Sequence, residues 1–250
     1  MEIQSYRKEI IEKNASNSAI HELASAFFNA TVDAKYSYCF DWLHRPIIQY
    51  PQDIVVFQEL VSRIKPDLIL ETGIAHGGSL VLSASLLCLL DVMDGLDPRQ
   101  SPRKVVGVDI DIREHNRRAL DEHPLRFKFE LIEGSSIDSQ TVEEVRALAF
   151  DKERILISLD FNHTHDHVLA ESNAYADLTS IGSYCIVFDT VIEDLPAGSF
   201  LDRPWEIANN PKTAVYEWLK THPEFELDNS IDNKILISVD PNGYLRRLSL

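Results

Sequence analysis

The chain has 250 residues, 44% of them hydrophobic and 26% charged, which suits one large α/β domain with a substantial core and excludes two full domains. Its 40 acidic against 24 basic residues give a formal charge of −16, a field that repels nucleic acid and anionic membrane and leaves a small or neutral ligand as the expected partner. Three scattered cysteines, an amino terminus without an apolar signal region, and a longest apolar run (residues 80–90) too short to span a bilayer predict a cytoplasmic protein with reduced thiols and no membrane span.

Residues 1–50 show helical patches without a clear strand and read as a helical cap or oligomerisation segment; residues 51–250 carry the ligand-binding pattern. Over residues 51–64, Ile54, Phe57, Val61 and Ile64 recur at helical spacing, and Asp53 sits near the positive end of the helix dipole. The stretch PDLILETGIAHGGS then reads as a strand through Leu68, Ile69 and Leu70, an acid at Glu71, a turn with Gly73, Gly77 and Gly78, and a helix opening at Ser79. A polar segment with two prolines, residues 91–104, reads as a surface loop before the strand KVVGVDID. Helices over 113–122, 141–149, 167–178 and 214–220 alternate with strands over 127–132, 155–159 and 184–188. Residues 225–227 and 235–239 are predicted to close the sheet as an antiparallel pair. Such alternation predicts a parallel α/β sheet with helices on both faces, whose ligand crevice lies at the carboxyl ends of the strands.

Two groups of residues at those strand ends could carry chemistry. Glu71 and the glycine turn are followed, at the next strand end, by Asp109, placed to accept hydrogen bonds from ribose hydroxyls, with amides at the helix start facing an anionic ligand group. GIAHGG is not the GxGxxG fingerprint of dinucleotide binders. EGSSID after the third strand adds Ser135 and Ser136, small polar residues suited to an adenine. The second group is LDFNHTHDH: Asp160 and Asp189 end neighbouring strands and could hold a hard cation such as Mg²⁺, with Glu193 nearby. His163, three residues past Asp160, is placed to take a proton. HTHDH is one residue short of the HxHxDH motif of two-zinc hydrolases. Trp42, Arg45 and Gln49, with His165, are candidates for lining an acceptor site, an aromatic face and hydrogen-bonding groups suiting a sugar.

WLHRPIIQYPQD, KPDLILETGIAHGGS, VVGVDIDIR, EGSSID, LDFNHTHDHVLAE, YCIVFDTVIEDLP, NNPKTAV and NGYLRRL together resemble the cephalosporin hydroxylase and rhamnosyl O-methyltransferase family, from residue 37 onward. The resemblance implies a Rossmann-like class I methyltransferase sheet of seven strands and S-adenosylmethionine held around Gly73, Ala75, Gly77, Gly78 and Ser79. It also places Asp109 on the ribose, assisted by Asp111, and Ser135 or Ser136 near adenine. Related sugar O-methyltransferases carry a metal-binding acid followed three residues later by a catalytic histidine, which matches Asp160 and His163. Their next strand ends Glu-Asp where this chain has Phe188 and Asp189, so one of three carboxylate ligands is absent and Glu193 is the candidate substitute. WEIANNP, residues 205–211, also departs from a glycine-rich WGPGNNP. The resemblance implies an O-methyltransferase acting on a small molecule or glycan, Mg²⁺-assisted and homo-oligomeric. The alternatives are an iron-dependent hydroxylase using two histidines and a carboxylate, and a non-catalytic S-adenosylmethionine-binding protein.

Overall fold

The computed structural model describes residues 3–250. Two helices open the chain, α1 (Ile3–Ala15) and α2 (Ser18–Asp33), the second capped by the Asn17 side chain accepting from the Ile20 amide. A short hairpin follows, β1 (Phe40–Trp42) against β2 (Arg45–Ile47), where the sequence suggested no strand. Its turn residues, Leu43 and His44, both have positive φ, +45° and +68°. Tight hairpin turns of this kind favour Asn-Gly or Asp-Gly, so the usual sequence signal is missing.

From there the alternation holds. α3 (Pro51–Ile64) leads into β3 (Leu68–Thr72), α4 (Gly78–Met93), β4 (Lys104–Asp109), α5 (Glu114–Asp121), β5 (Phe129–Glu133) and α6 (Ser139–Ala149). β6 (Ile155–Leu159), α7 (His165–Tyr175), β7 (Tyr184–Val187), α8 (Pro211–Trp218), β8 (Phe225–Leu227), α9 (Asn229–Ile235) and β9 (Tyr244–Arg247) complete the chain. The seven-stranded sheet runs β5-β4-β3-β6-β7-β9-β8, parallel through its first five strands, with β9 antiparallel to both neighbours.

The antiparallel closing strand is not residues 235–239. Ile235 ends α9, which Asp228 caps by accepting from the Ser230 amide, and Leu236 turns the chain at φ +63°. The apolar residues of that run pack against the core beside α3 instead, where the Val239 amide donates to Asp53 at 3.2 Å. The ladder partner of β8 is β9, inside NGYLRRL. Residues 91–93 belong to α4, and Asp91 is buried with Lys128 at 2.5 Å and Arg103 at 2.8 Å. The following loop is thus pinned from below by a buried ionic group.

Strand alternation divides the core between the two faces of the sheet. Ile69, Val105, Leu156 and Ile186 meet α3 and α4 on one face; Leu70, Val106, Ile157 and Val187 meet α6, α7 and α8 on the other. β3 and β6 are buried along their whole length, which is why they read as continuous apolar runs. The order of connection reverses between these two central strands, and their carboxyl ends open the crevice where ligands of such sheets bind. α1 lies along α9, and no described helix is long and apolar enough to cross a membrane.

Candidate active site

A cavity of about 800 Å³ opens at that reversal point. Gly73, directly after β3, adopts φ +81°, and its amide donates to the Val108 carbonyl at 2.8 Å. A Cβ there would sit 1.9 Å from the Asp160 carbonyl oxygen, so only glycine lets the turn after β3 touch the chain after β6. Gly77, at φ +82°, enters α4, and Gly78 packs its missing side chain against Pro46 and Ile47 of the hairpin.

Polar contacts hold this turn on every side. The Asp109 carboxylate accepts from the Ile74 and Ala75 amides at 2.9 and 3.1 Å through one oxygen and from the Asp111 amide at 3.2 Å through the other. The Ser79 hydroxyl donates to Glu71, whose carboxyl burial pushes up to about 8. Arg45 donates to the His76 carbonyl at 2.9 Å and to Asn116 Oδ1 at 2.8 Å, and Asn116 donates to the Ala75 carbonyl at 3.0 Å. Arg45 therefore braces the turn from behind instead of lining the acceptor end. Asn116, buried in the short helix α5, has no local sequence signal that marks it as a site residue.

Facing the turn, Asp160, His163 and Asp189 each bring one ligand atom within 4.8 Å of the others. The Asp160 amide donates to the Thr72 carbonyl at 3.1 Å, tying the end of β6 to β3. Asp189 takes a left-handed φ of +56°, its amide donates to Asp240 Oδ1 at 3.2 Å, and its Oδ2 lies 3.1 Å from His163 Nε2. Burial first, then the charges of Asp189, Glu71 and Glu171, hold the Asp160 carboxyl well above the usual carboxylate range. Two crowded carboxylates and an imidazole form a donor set that fits a divalent cation, whose charge would relieve this repulsion. The glycine cradle, with Asp109 on the cavity wall, likewise fits an elongated nucleoside cofactor.

The other expected residues lie elsewhere. Ser135 and Ser136 are not among the cavity-lining residues; Ser136 is buried, its hydroxyl 3.1 Å from His167 Nε2 and its carbonyl accepting from Tyr175. Trp42 donates to Ser85 at 3.0 Å and packs on α4. Gln49 does line the cavity, with its buried Oε1 unpartnered among the described residues. His165 joins α7 to α8 through Thr213 at 2.8 Å, and Glu193 accepts from the Ala208 amide at 2.8 Å, outside the Asp160 cluster. Of the HTHDH histidines, only His163 lines the cavity. Trp205, from the segment WEIANNP, stands edge-on to His163 with ring centres 4.6 Å apart.

The sequence pattern described as Rhamnosyl O-methyltransferase/CmcI matches residues 34–248. The chain belongs to this family. The rhamnosyl O-methyltransferase of Mycobacterium tuberculosis is 29% identical over 198 residues, covering 78% of this chain and 73% of the relative. That of Mycobacterium leprae is 25% identical over 208 residues, 82% of each. Among solved structures, CmcI in a form described with Mg and SAM superposes at a TM-score of 0.57 and 18% identity, over 85% of this chain and 78% of that one; an apo form of CmcI gives 0.57 and 20%. These superpositions support the class I methyltransferase fold.

Proposed function

We propose that this family member is an S-adenosylmethionine-dependent O-methyltransferase acting on a hydroxyl of a sugar-like acceptor, with a divalent cation at Asp160 and Asp189. The observation that carries the reading is the meeting, in one cavity, of the glycine turn, Asp109 and the Asp160–His163–Asp189 cluster. The curated relatives are named for a rhamnosyl acceptor, so a deoxyhexosyl hydroxyl is the acceptor class favoured here. The cytoplasm suits its three unpaired cysteines.

When bound, the sulfonium cofactor supplies an electrophilic methyl group, and the cation supplies Lewis acidity toward acceptor oxygens. The residues of the chain supply the rest. The glycine turn and Asp109 hold the nucleoside, and the cavity walls bring hydroxyl and methyl together, converting an encounter into an oriented reaction. His163 takes the hydroxyl proton, and Asp189, 3.1 Å from its Nε2, orients the ring and favours the imidazolium that forms. Positioned general-base catalysis contributes about 10²- to 10⁴-fold.

His163→Ala is expected to lower single-turnover methyl transfer by that factor while leaving the calorimetric affinity for S-adenosylmethionine unchanged. Transfer at the wild-type rate removes His163 as the base. An iron-dependent hydroxylase would need two imidazoles beside a carboxylate; this cavity presents His163 beside Asp160 and Asp189.

A further inference from the structure

Glu193 and the segment WEIANNP, residues 205–211, take no part in the transfer step itself. Glu193 follows Asp189 by one turn of 3₁₀-helix, Thr190–Asp194. Its Oε2 accepts from the Ala208 amide at 2.8 Å and from the Asn210 side-chain amide. Those partners belong to a tight reversal in which Glu206 and Asn209 exchange backbone hydrogen bonds at 3.1 and 3.0 Å. Ala208, at φ +67°, occupies a left-handed position that favours glycine, a conformation that persists only where its surroundings over-determine it. The reversal is held from a second side by Asn209, whose Oδ1 accepts from the His165 amide at 3.0 Å and whose Nδ2 donates to the Pro204 carbonyl at 2.9 Å.

The residue this reversal delivers is Trp205. Its ring meets His163 edge-on at 4.6 Å, and the Arg203 guanidinium covers it at 5.3 Å. Trp205 and Arg203 both line the cavity. One staple, from Glu193, thus ties the reversal to the segment that carries Asp189, and the other, from Asn209, ties it to the segment that carries His163.

We propose that Glu193 is a positioning residue: by clamping the strained reversal at Ala208 it fixes Trp205 as the wall that sets the His163 ring and the acceptor end of the cavity. The kinetic part of this inference rests on the methyltransferase reading; the clamp itself does not. Glu193 acts as a hydrogen-bond acceptor and is no cation ligand, so a glutamine, which keeps one acceptor oxygen, preserves the function better than alanine.

The test compares Glu193→Ala and Glu193→Gln. On the protein alone, Glu193→Ala is expected to speed hydrogen exchange at the Ala208 amide at least 10-fold. It should also raise acrylamide quenching of Trp205 emission, isolated by subtracting the Trp205→Phe spectrum. Glu193→Gln should stay within about 3-fold of wild type in exchange. In turnover, Glu193→Ala should raise the acceptor KM 10-fold or more, with the S-adenosylmethionine dissociation constant and the Mn²⁺ stoichiometry unchanged. Unchanged exchange and quenching in Glu193→Ala overturn the clamp, and so does lost Mn²⁺ stoichiometry, which would make Glu193 a ligand. Exchange and quenching that respond as expected, in a protein whose wild type methylates no acceptor, uphold the clamp and refute the methyltransferase reading instead.

Discussion

Gly73→Ala tests the point on which the site geometry turns, and the structure supplies its own control. At Gly73 alanine meets two costs: a left-handed φ of +81°, and a Cβ 1.9 Å from the Asp160 carbonyl oxygen and 2.6 Å from its carbonyl carbon. Gly95 has nearly the same φ, +74°, with nothing within 4 Å of the position its Cβ would take. The conformational cost, about 1–2 kcal/mol, is therefore shared, and the difference between the two variants reports the clash alone. Overpacking typically costs about 1–3 kcal/mol, and the upper end applies because the obstacle is backbone and cannot rotate aside. Urea unfolding should place Gly95→Ala about 1 kcal/mol below wild type and Gly73→Ala about 3–4 kcal/mol below it. Because relief of the clash pushes the Asp160 peptide away from Thr72, Gly73→Ala should also weaken both S-adenosylmethionine and Mn²⁺ binding by calorimetry, while Gly95→Ala leaves both intact. A Gly73→Ala protein as stable as Gly95→Ala, with cation binding retained, would show that the turn and the Asp160 strand are not in contact.

Two further outcomes are expected. Burial raises the Glu71 carboxyl from 4.5 to about 8, so between those values the unfolded chain releases a proton that the folded chain keeps. Stability relative to Glu71→Gln should then fall as pH rises through this window, by up to about 1.4 kcal/mol per pH unit; a difference between the two proteins that stays flat from pH 5 to 8 contradicts it. Lys128→Met strands one oxygen of the buried Asp91, which keeps Arg103 at 2.8 Å and Ser101 at 2.6 Å. The expected loss in denaturant is about 3 kcal/mol, the lower end for a broken buried pair, and a loss under 1 kcal/mol would refute the pairing.

β3, β6 and β7 were legible because burial on both faces writes a largely apolar run, and the first half of the site was legible because glycines cluster where backbones must approach. Gly73 against Asp160 and Gly78 against Pro46 are such approaches. What escaped was written in conformations that the residue types do not advertise. Leu43, His44, Ala208 and Leu236 all take positive φ without being glycine, and each stands at a feature the sequence hid: the hairpin, the Trp205 reversal and the end of α9. Side chains whose polar groups serve the backbone are the hardest to read. Arg45 and Glu193 satisfy backbone groups of loops, a demand that tertiary structure creates and local patterning does not reveal.

Residue 188 ties the fold to the chemistry. The left-handed turn at Asp189 sends neighbouring side chains into different compartments: Asp189 lines the cavity with Asp160 and His163, whereas Phe188 joins the core facing α3 and α4. There it borders a small inner void shared with Gln49, Asp53 and Glu71. Burial already pushes Asp53 to about 7 and Glu71 to about 8, so a third acid in that compartment would add charge where two carboxyls already resist it. A buried phenyl ring contributes about 2–3 kcal/mol there instead. Phe188 thus stabilises the sheet from the core side, and the cluster that faces the cavity holds two carboxylates, Asp160 and Asp189. The third polar group of that cluster is His163, whose ring Trp205 meets edge-on at 4.6 Å, so the wall that holds this ring bears directly on the cluster.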